Sequence, residues 1–436
     1  MESDKPLTPS ITWPLWQKNI FRFIFIYFAL NFQPWSWLGS IPGIGWLAEI
    51  YFAAESAAVN AANKYLFHVR DVLVPVNGSG DTSYAWTQLW LFLSLALIGS
   101  VIWSVIDGKR PHYQVLSYWL RTTMRFYIAM VAFLYGIIKL FCLQMYFPNL
   151  SQLATPLGDY LPMRFSWMFI GYSSPYQFFS GLMETIVGLL LLYRRTVTFG
   201  LLMGLTVFIN VMMLNLCHDI PVKLFSIHLV VYCTVLLAFD AKRLLSLFVL
   251  NKPVVATSLY AFRYSQKWMR YGRIGLKVIF VGVAVILQVI ESWQRYQETI
   301  NIPIPKPFYG VYAVTQFSKN NEVVVPSPTD SLTWRDVIFD KENYGSISTN
   351  DTLFRQRYRR GYFAYKVDTT KHEIALKKAQ SDSLSLLTLH YQVIDKQTLL
   401  LKTKLRNDSI KVVLQQTNRH FQLAERQFHW LSEYNR

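Results

Sequence analysis

Apolar positions along this chain follow two rhythms, and the change falls near residue 300. Before it, they form long unbroken runs. A helix needs roughly 20 apolar residues to cross hydrocarbon. Runs of about that size occupy 16–35, 84–106, 124–147, 175–193, 198–217, 222–240 and 274–293. The first is the weakest, with Arg22 inside it and Pro34 at its end. After the proline-studded stretch "NIPIPKPFYG" (301–310) the runs become short and alternate. "LLTLHYQV" (386–393) sets Leu387, Leu389, Tyr391 and Val393 on one face, with Thr388, His390 and Gln392 on the other. "QTLLLKTKL" (397–405) and "DSIKVVLQ" (408–415) keep that period of two, with turns at Asp395-Lys396 and Asn407-Asp408. "YFAYKVDTTKHEIALKK" (362–378) reads as a further hairpin. The pattern predicts an α-helical polytopic membrane domain of about seven spans over 1–297. Over 298–436 it predicts a small antiparallel all-β domain of eight to ten short strands, barrel-like or a sandwich.

Two connections between spans are long. Residues 36–83 hold "GWLAEIYFAAESAAVNAANKYLFHV", and 148–174 hold "LPMRFSWMFIGYSSP". Both are too short or too interrupted to span, so both are expected at the membrane interface, the second as an interfacial or re-entrant segment.

Composition agrees with the helical reading. The 436 residues are 52% hydrophobic and 16% charged, against roughly 25% charged in ordinary soluble domains. The net charge of +17 does not point to nucleic acid, because the basic residues gather at the ends of apolar runs. "DGKR" (107–110), "YRRT" (193–196), "DAKRLL" (240–245) and "RYSQKWMRYGR" (263–273) all fall on one side of an alternating topology. The positive-inside rule makes that side cytoplasmic. The N-terminus is then cytoplasmic and the β domain is exported, periplasmic in a bacterial inner membrane. "MESDKPLTPS" leads to no small-residue cleavage site, so the first run is expected to stay as an anchor. Cys142, Cys217 and Cys233 form no CxxC, which suggests neither a disulfide framework nor a zinc site.

Candidate chemistry lies in the third to sixth spans. Gly181, Glu184 and Gly188 share one helical face, a close-packing face carrying a carboxylate. Neighbouring spans carry Lys139, Gln144, Asn210 and His228. Lys139, Glu184, Asn210 and His228 each lie seven to ten residues from the outer end of their predicted spans, roughly 10–15 Å deep. Buried polar groups in a membrane are costly unless they face one another or water. These four are therefore expected to line an outward-facing polar pocket. Asn215, His218, Asp219 and Lys223, in "NLCHDIPVKLFSIHL" (215–229), form its rim with "NGSGDTS" (77–83). Simpler readings stand beside this one. Lys139–Glu184 could only fix helix register, Asp219 could start a helix that has Pro221 in its first turn, and Asp81, Thr82 or Ser83 could cap a span. No metal site is expected, because three of the ligand-type residues are consecutive.

"GLMETIVGLLLLYRRTVTFGLLMG" followed by "NLCHDIPVKLFSIHL" resembles the DoxX-like membrane proteins. The likeness is nearer to a long bacterial branch, through "NGSGDTS", Tyr135–Lys139, "GYSSPYQFFSGLME" (171–184), "LLLYRRT" (190–196) and "FHWLSEYNR" (428–436). It implies a four-helix DoxX-like core, about 124–245, in a bacterial inner membrane. It implies no firm activity, although some members of the wider family are associated with quinone-linked sulfur oxidation or thiol-redox partners. No pair of reactive thiols is present for the latter work. The joining of a helical membrane domain to an exported β domain is similar, in architecture alone, to the vitamin K-dependent carboxylases.

The expected function is binding of an amphiphile, a quinone or a lipid, in the outward pocket. The alternative is a non-catalytic assembly or chaperone subunit whose β domain binds a periplasmic or envelope protein. The two differ in whether a small molecule or a protein partner accompanies the chain.

Overall fold

The computed structural model describes residues 12–33, 43–255, 266–302, 304, 308–325, 332–426 and 428–433. Part of the linker expected at 301–310, together with Pro34, part of 263–273 and the last three residues, lies outside them. The chain divides into two compact units. One is Met1–Leu140 with Phe179–Ile290, and the other is Phe141–Phe178 with Glu291–Arg436.

The helices in chain order are α1 (Leu15–Phe32), α2 (Trp46–Ala62), α3 (Ser83–Ile106), α4 (Gln114–Leu140), α5 (Leu150–Leu153), α6 (Pro162–Tyr172), α7 (Ser174–Leu192), α8 (Val197–Cys217), α9 (Lys223–Ala238), α10 (Ala241–Phe248) and α11 (Lys267–Ile300). Among the described residues, five are long and apolar enough to cross a membrane: α3, α4, α7, α8 and α11. The pair α9 and α10, bent by 83°, makes a sixth if counted as one span. Of the seven expected spans, α1 falls short because Gln17, Lys18, Asn19 and Arg22 crowd its first half.

Those polar groups are not left bare. Arg22 is buried and donates to Tyr113 Oη at 3.1 and 2.9 Å, to Asn19 Oδ1 at 3.0 Å, to Ser104 Oγ at 2.8 Å and to Asp107 O at 2.9 Å. Lys18 Nζ donates to Arg110 O at 3.2 Å. The arginine that weakens α1 as an apolar run is thus a fixed tie between α1, the end of α3 and the turn before α4. A buried guanidinium is tolerated when its donors are met.

The second unit is a β barrel. Its strands are β1 (Gly310–Lys319), β2 (Glu322–Val323), β3 (Asp336–Phe339), β4 (Tyr344–Ile347), β5 (Arg355–Arg357), β6 (Arg360–Asp368), β7 (Glu373–Lys377), β8 (Leu387–Val393), β9 (Thr398–Leu405) and β10 (Asp408–Gln416). All pairings are antiparallel, running β10-β9-β8-β7-β6-β4-β3-β1. Pairing of β1 with β10 closes the ring, while β2 and β5 are short additions to β1 and β6. Closure removes both sheet edges, and it decides between the barrel and the sandwich. Trp334, Phe339, Phe354, Phe363, Leu389, Leu401 and Leu414 fill the interior.

Residues 148–174, expected as an interfacial part of the helical domain, instead fall in Phe141–Phe178, which belongs to the barrel unit. Asn149 caps α5 in a reciprocal box with Gln152. The first turn of α5 is seated on Asp340, whose carboxylate accepts from Leu150 N at 2.8 Å, from Ser151 N at 3.3 Å and from the Ser151 hydroxyl. Ser346, Arg360 and Asp336 extend this network along the barrel wall. These partners lie about 190 residues apart in the chain, so the hydropathy of the segment carries no sign of them.

Candidate functional site

The closest charged contact inside the helical unit joins α4 to α7. Lys139 Nζ stands 2.6 Å from Glu184 Oε1 and 2.7 Å from Oε2, and both side chains are buried. Glycine makes the approach possible. A Cβ on Gly181 would stand 2.6 Å from Gly136 O, and one on Gly188 would meet the Phe133 ring at 2.8 Å. The backbones of α4 and α7 therefore touch on the face that Gly181, Glu184 and Gly188 share. Small residues at a helix crossing act this way wherever side chains cannot intervene.

The other expected pocket residues lie elsewhere. α4 ends at Leu140 and Cys142 adopts a left-handed φ of 55°, so Lys139 is in the last turn rather than well inside a longer span. Gln144 falls beyond the helix, in the segment that folds with the barrel unit, with its Oε1 buried and unpartnered. Asn210 lies on an exposed face of α8. His228 has both ring nitrogens engaged, one with Tyr27 Oη at 2.6 Å and one with Leu224 O at 2.6 Å. Its ring also stacks on Tyr27, so it ties α9 to α1. The common-level pocket of Lys139, Glu184, Asn210 and His228 is reduced to one closed ion pair. An apolar helix gives no sign of which way its lone polar residue turns, and α8 and α9 are apolar nearly all round.

The rim residues do meet. Asp81 accepts from the backbone N–H of Lys223 at 2.8 Å and of Leu224 at 2.9 Å. It thus caps α9 from another part of the chain, while Thr82 caps its own helix, α3. Lys223 Nζ lies 2.7 Å from Asp219 and 3.6 Å from Asp81. Gly80 N donates to Pro221 O at 2.7 Å. Asn215 is buried, its carbonyl accepting from Ile220 N at 2.9 Å, and His218 bonds back to Leu214 O at 3.2 Å. The polar stretch 215–229 is therefore a clasp onto "NGSGDTS". Among the described residues, no group of three or more His, Cys, Asp or Glu is placed to hold a metal.

The helical unit also has concave ground at the end where α7 gives way to α8. A cavity of about 510 Å³ is lined by Arg121 and Arg125 of α4, Arg194 and Arg195 of the turn, and Asp240 and Arg243. A larger groove of about 970 Å³ runs between α1 and the α9–α10 bend, walled by Trp16, Ile20, Ile24, Val235 and Phe239. Asp240 and Arg243 border both.

No protein-family model matches the chain, and no solved structure does. Over 127 residues the chain is 31% identical to the uncharacterized protein YwoB of Bacillus subtilis (strain 168). That stretch is 29% of this chain and 80% of the Bacillus protein. The chain belongs to the family of YwoB. In this member of the YwoB family, the functional candidates that sequence reasoning passed over are the arginines. In the sequence "YRRT" counts as a cytoplasmic flank and as part of a DoxX-like motif, not as a binding feature, and Arg121 and Arg125, one helical turn apart, sit at the start of an apolar run. That i, i+4 spacing inside a candidate span was the available signal.

Proposed function

We propose that this YwoB-family chain is a multi-pass protein of a bacterial inner membrane that holds an amphiphile, a lipid or a quinone, in the groove between α1 and the α9–α10 bend. The groove carries this reading. Its walls are apolar and its mouth holds Asp240, Lys242 and Arg243, which suits a molecule with a tail and a polar head. The resemblance to DoxX-like proteins supports the membrane setting. Charge supports the orientation, with the arginine-rich α7–α8 turn cytoplasmic and the barrel periplasmic. Lys139–Glu184 then serves to fix the α4–α7 crossing rather than to bind.

Native mass spectrometry of the gently purified chain tests the reading. A co-purifying amphiphile is expected, and Ala238→Trp, which fills the groove, should displace it. Bare protein from both preparations would contradict the proposal.

A second reading has its own observation. The barrel unit carries a concavity of about 210 Å³ lined by Arg164, Arg355, Arg357 and Lys378 among tyrosines. It supports an assembly role in which the β domain binds an acidic partner protein. Crosslinking in native membranes separates the two, because this reading requires a stoichiometric protein partner on the barrel.

A further inference from the structure

We infer that the arginine-lined cavity at the α7–α8 turn is a binding site for a phosphate-bearing anion, either the headgroup of a membrane lipid or a soluble phosphate compound. The inference rests on the amphiphile reading only for the placement of a lipid tail, since the adjoining groove would receive it.

Five arginines line the cavity against one carboxylate, Asp240. That carboxylate is engaged by Arg243 at 2.8 Å. The lining is therefore strongly positive whatever its internal bonds. Like charges gathered in a concavity repel one another, and the repulsion is least screened where water is scarce. Such an arrangement is stabilised by an anion that enters it.

Two details fit arginines held in place rather than spread into solvent. Arg125 Nε is buried and has no hydrogen-bond partner, an unmet donor that costs free energy. Arg121 is steadied from behind, donating to Ser117 O at 3.2 Å and lying over the Phe239 ring at 5.4 Å. Guanidinium forks match the paired oxygens of a phosphate. Thr198 stands beside Asp240 and Arg243 at 3.4 Å and adds a hydroxyl to the wall.

The full chain in a neutral maltoside detergent can be melted with phosphatidylglycerol, phosphatidylcholine or inorganic pyrophosphate, as wild type and as Arg125→Gln and Arg194→Gln. Phosphatidylglycerol is expected to raise the unfolding temperature of the wild type by several degrees and phosphatidylcholine much less. Each variant should bind at least tenfold more weakly. Without added anion, Arg125→Gln should melt no lower than wild type, because it relieves repulsion; a lower value would mark the arginine as structural and overturn the site. Stabilisation by pyrophosphate alone would uphold the phosphate chemistry and assign it a soluble source. Equal response to both lipids, unchanged in the variants, would overturn the site and leave the groove reading standing. No response to any of the three would overturn it as well, while Ala238→Trp still tests the groove by itself.

Discussion

One ammonium, that of Lys139, lies within 2.7 Å of both carboxylate oxygens of Glu184. The two charges satisfy each other in a crossing that glycine backbones hold shut. Breaking a buried pair from one side typically costs about 3–5 kcal/mol, while replacing both partners by apolar groups is often nearly neutral. Glu184→Gln and Lys139→Met should each lower the unfolding temperature in detergent, and the double variant should regain most of the loss. Additive losses in this double-mutant cycle would show that the pair does not act as a unit. Retention of the chain's cellular role by the stable double variant would agree with a purely structural pair.

Asp81 makes a separable prediction. It caps α9 through the amides of Lys223 and Leu224, and loss of a cap costs about 0.5–2 kcal/mol. In Asp81→Ala those amides should exchange with deuterium faster while α4 and α7 keep their protection. Unchanged exchange at Lys223 and Leu224 would remove the clasp from this account.

The seat of α5 on the barrel should respond to pH. Burial pushes the Asp340 carboxyl above its usual range, more than the Ser151 hydroxyl and the Ser151 and Leu150 amides pull it down. A carboxyl raised on folding contributes stability fully present below its unfolded value, about 3.9. That contribution is lost as pH rises through the raised folded value. The unfolding temperature of the chain should therefore fall as pH rises from about 4 toward neutral, and Asp340→Asn should flatten the dependence. An unfolding temperature no more pH-dependent in the wild type than in Asp340→Asn would contradict it.

The parts legible in the sequence are those set by local pattern. Leu387, Leu389 and Tyr391 point into the barrel as their spacing predicts, because a strand buried on one face must alternate. Val393 breaks the pattern at the strand end, where it is exposed. The β9–β10 turn sits one residue earlier than expected, at Arg406-Asn407, with Arg406 taking a left-handed φ of 58°. Gly181, Glu184 and Gly188 were readable as one packing face because small residues and a carboxylate recur at helical spacing. The partners were not readable. Tyr27 for His228, Asp81 for α9 and Asp340 for α5 are joined across 201, 142 and 190 residues. Asn210 shows the same limit on an apolar helix, since hydropathy fixes that α8 is buried in something but not which side turns outward.

The central claim, that the groove between α1 and the α9–α10 bend holds an amphiphile, is tested most directly by electron cryo-microscopy of the chain in nanodiscs of its own membrane lipids. The account predicts ordered elongated density between Ile20 and Val235, ending in a headgroup at Arg243. A map that resolves these side chains around a groove holding no ordered density would contradict it.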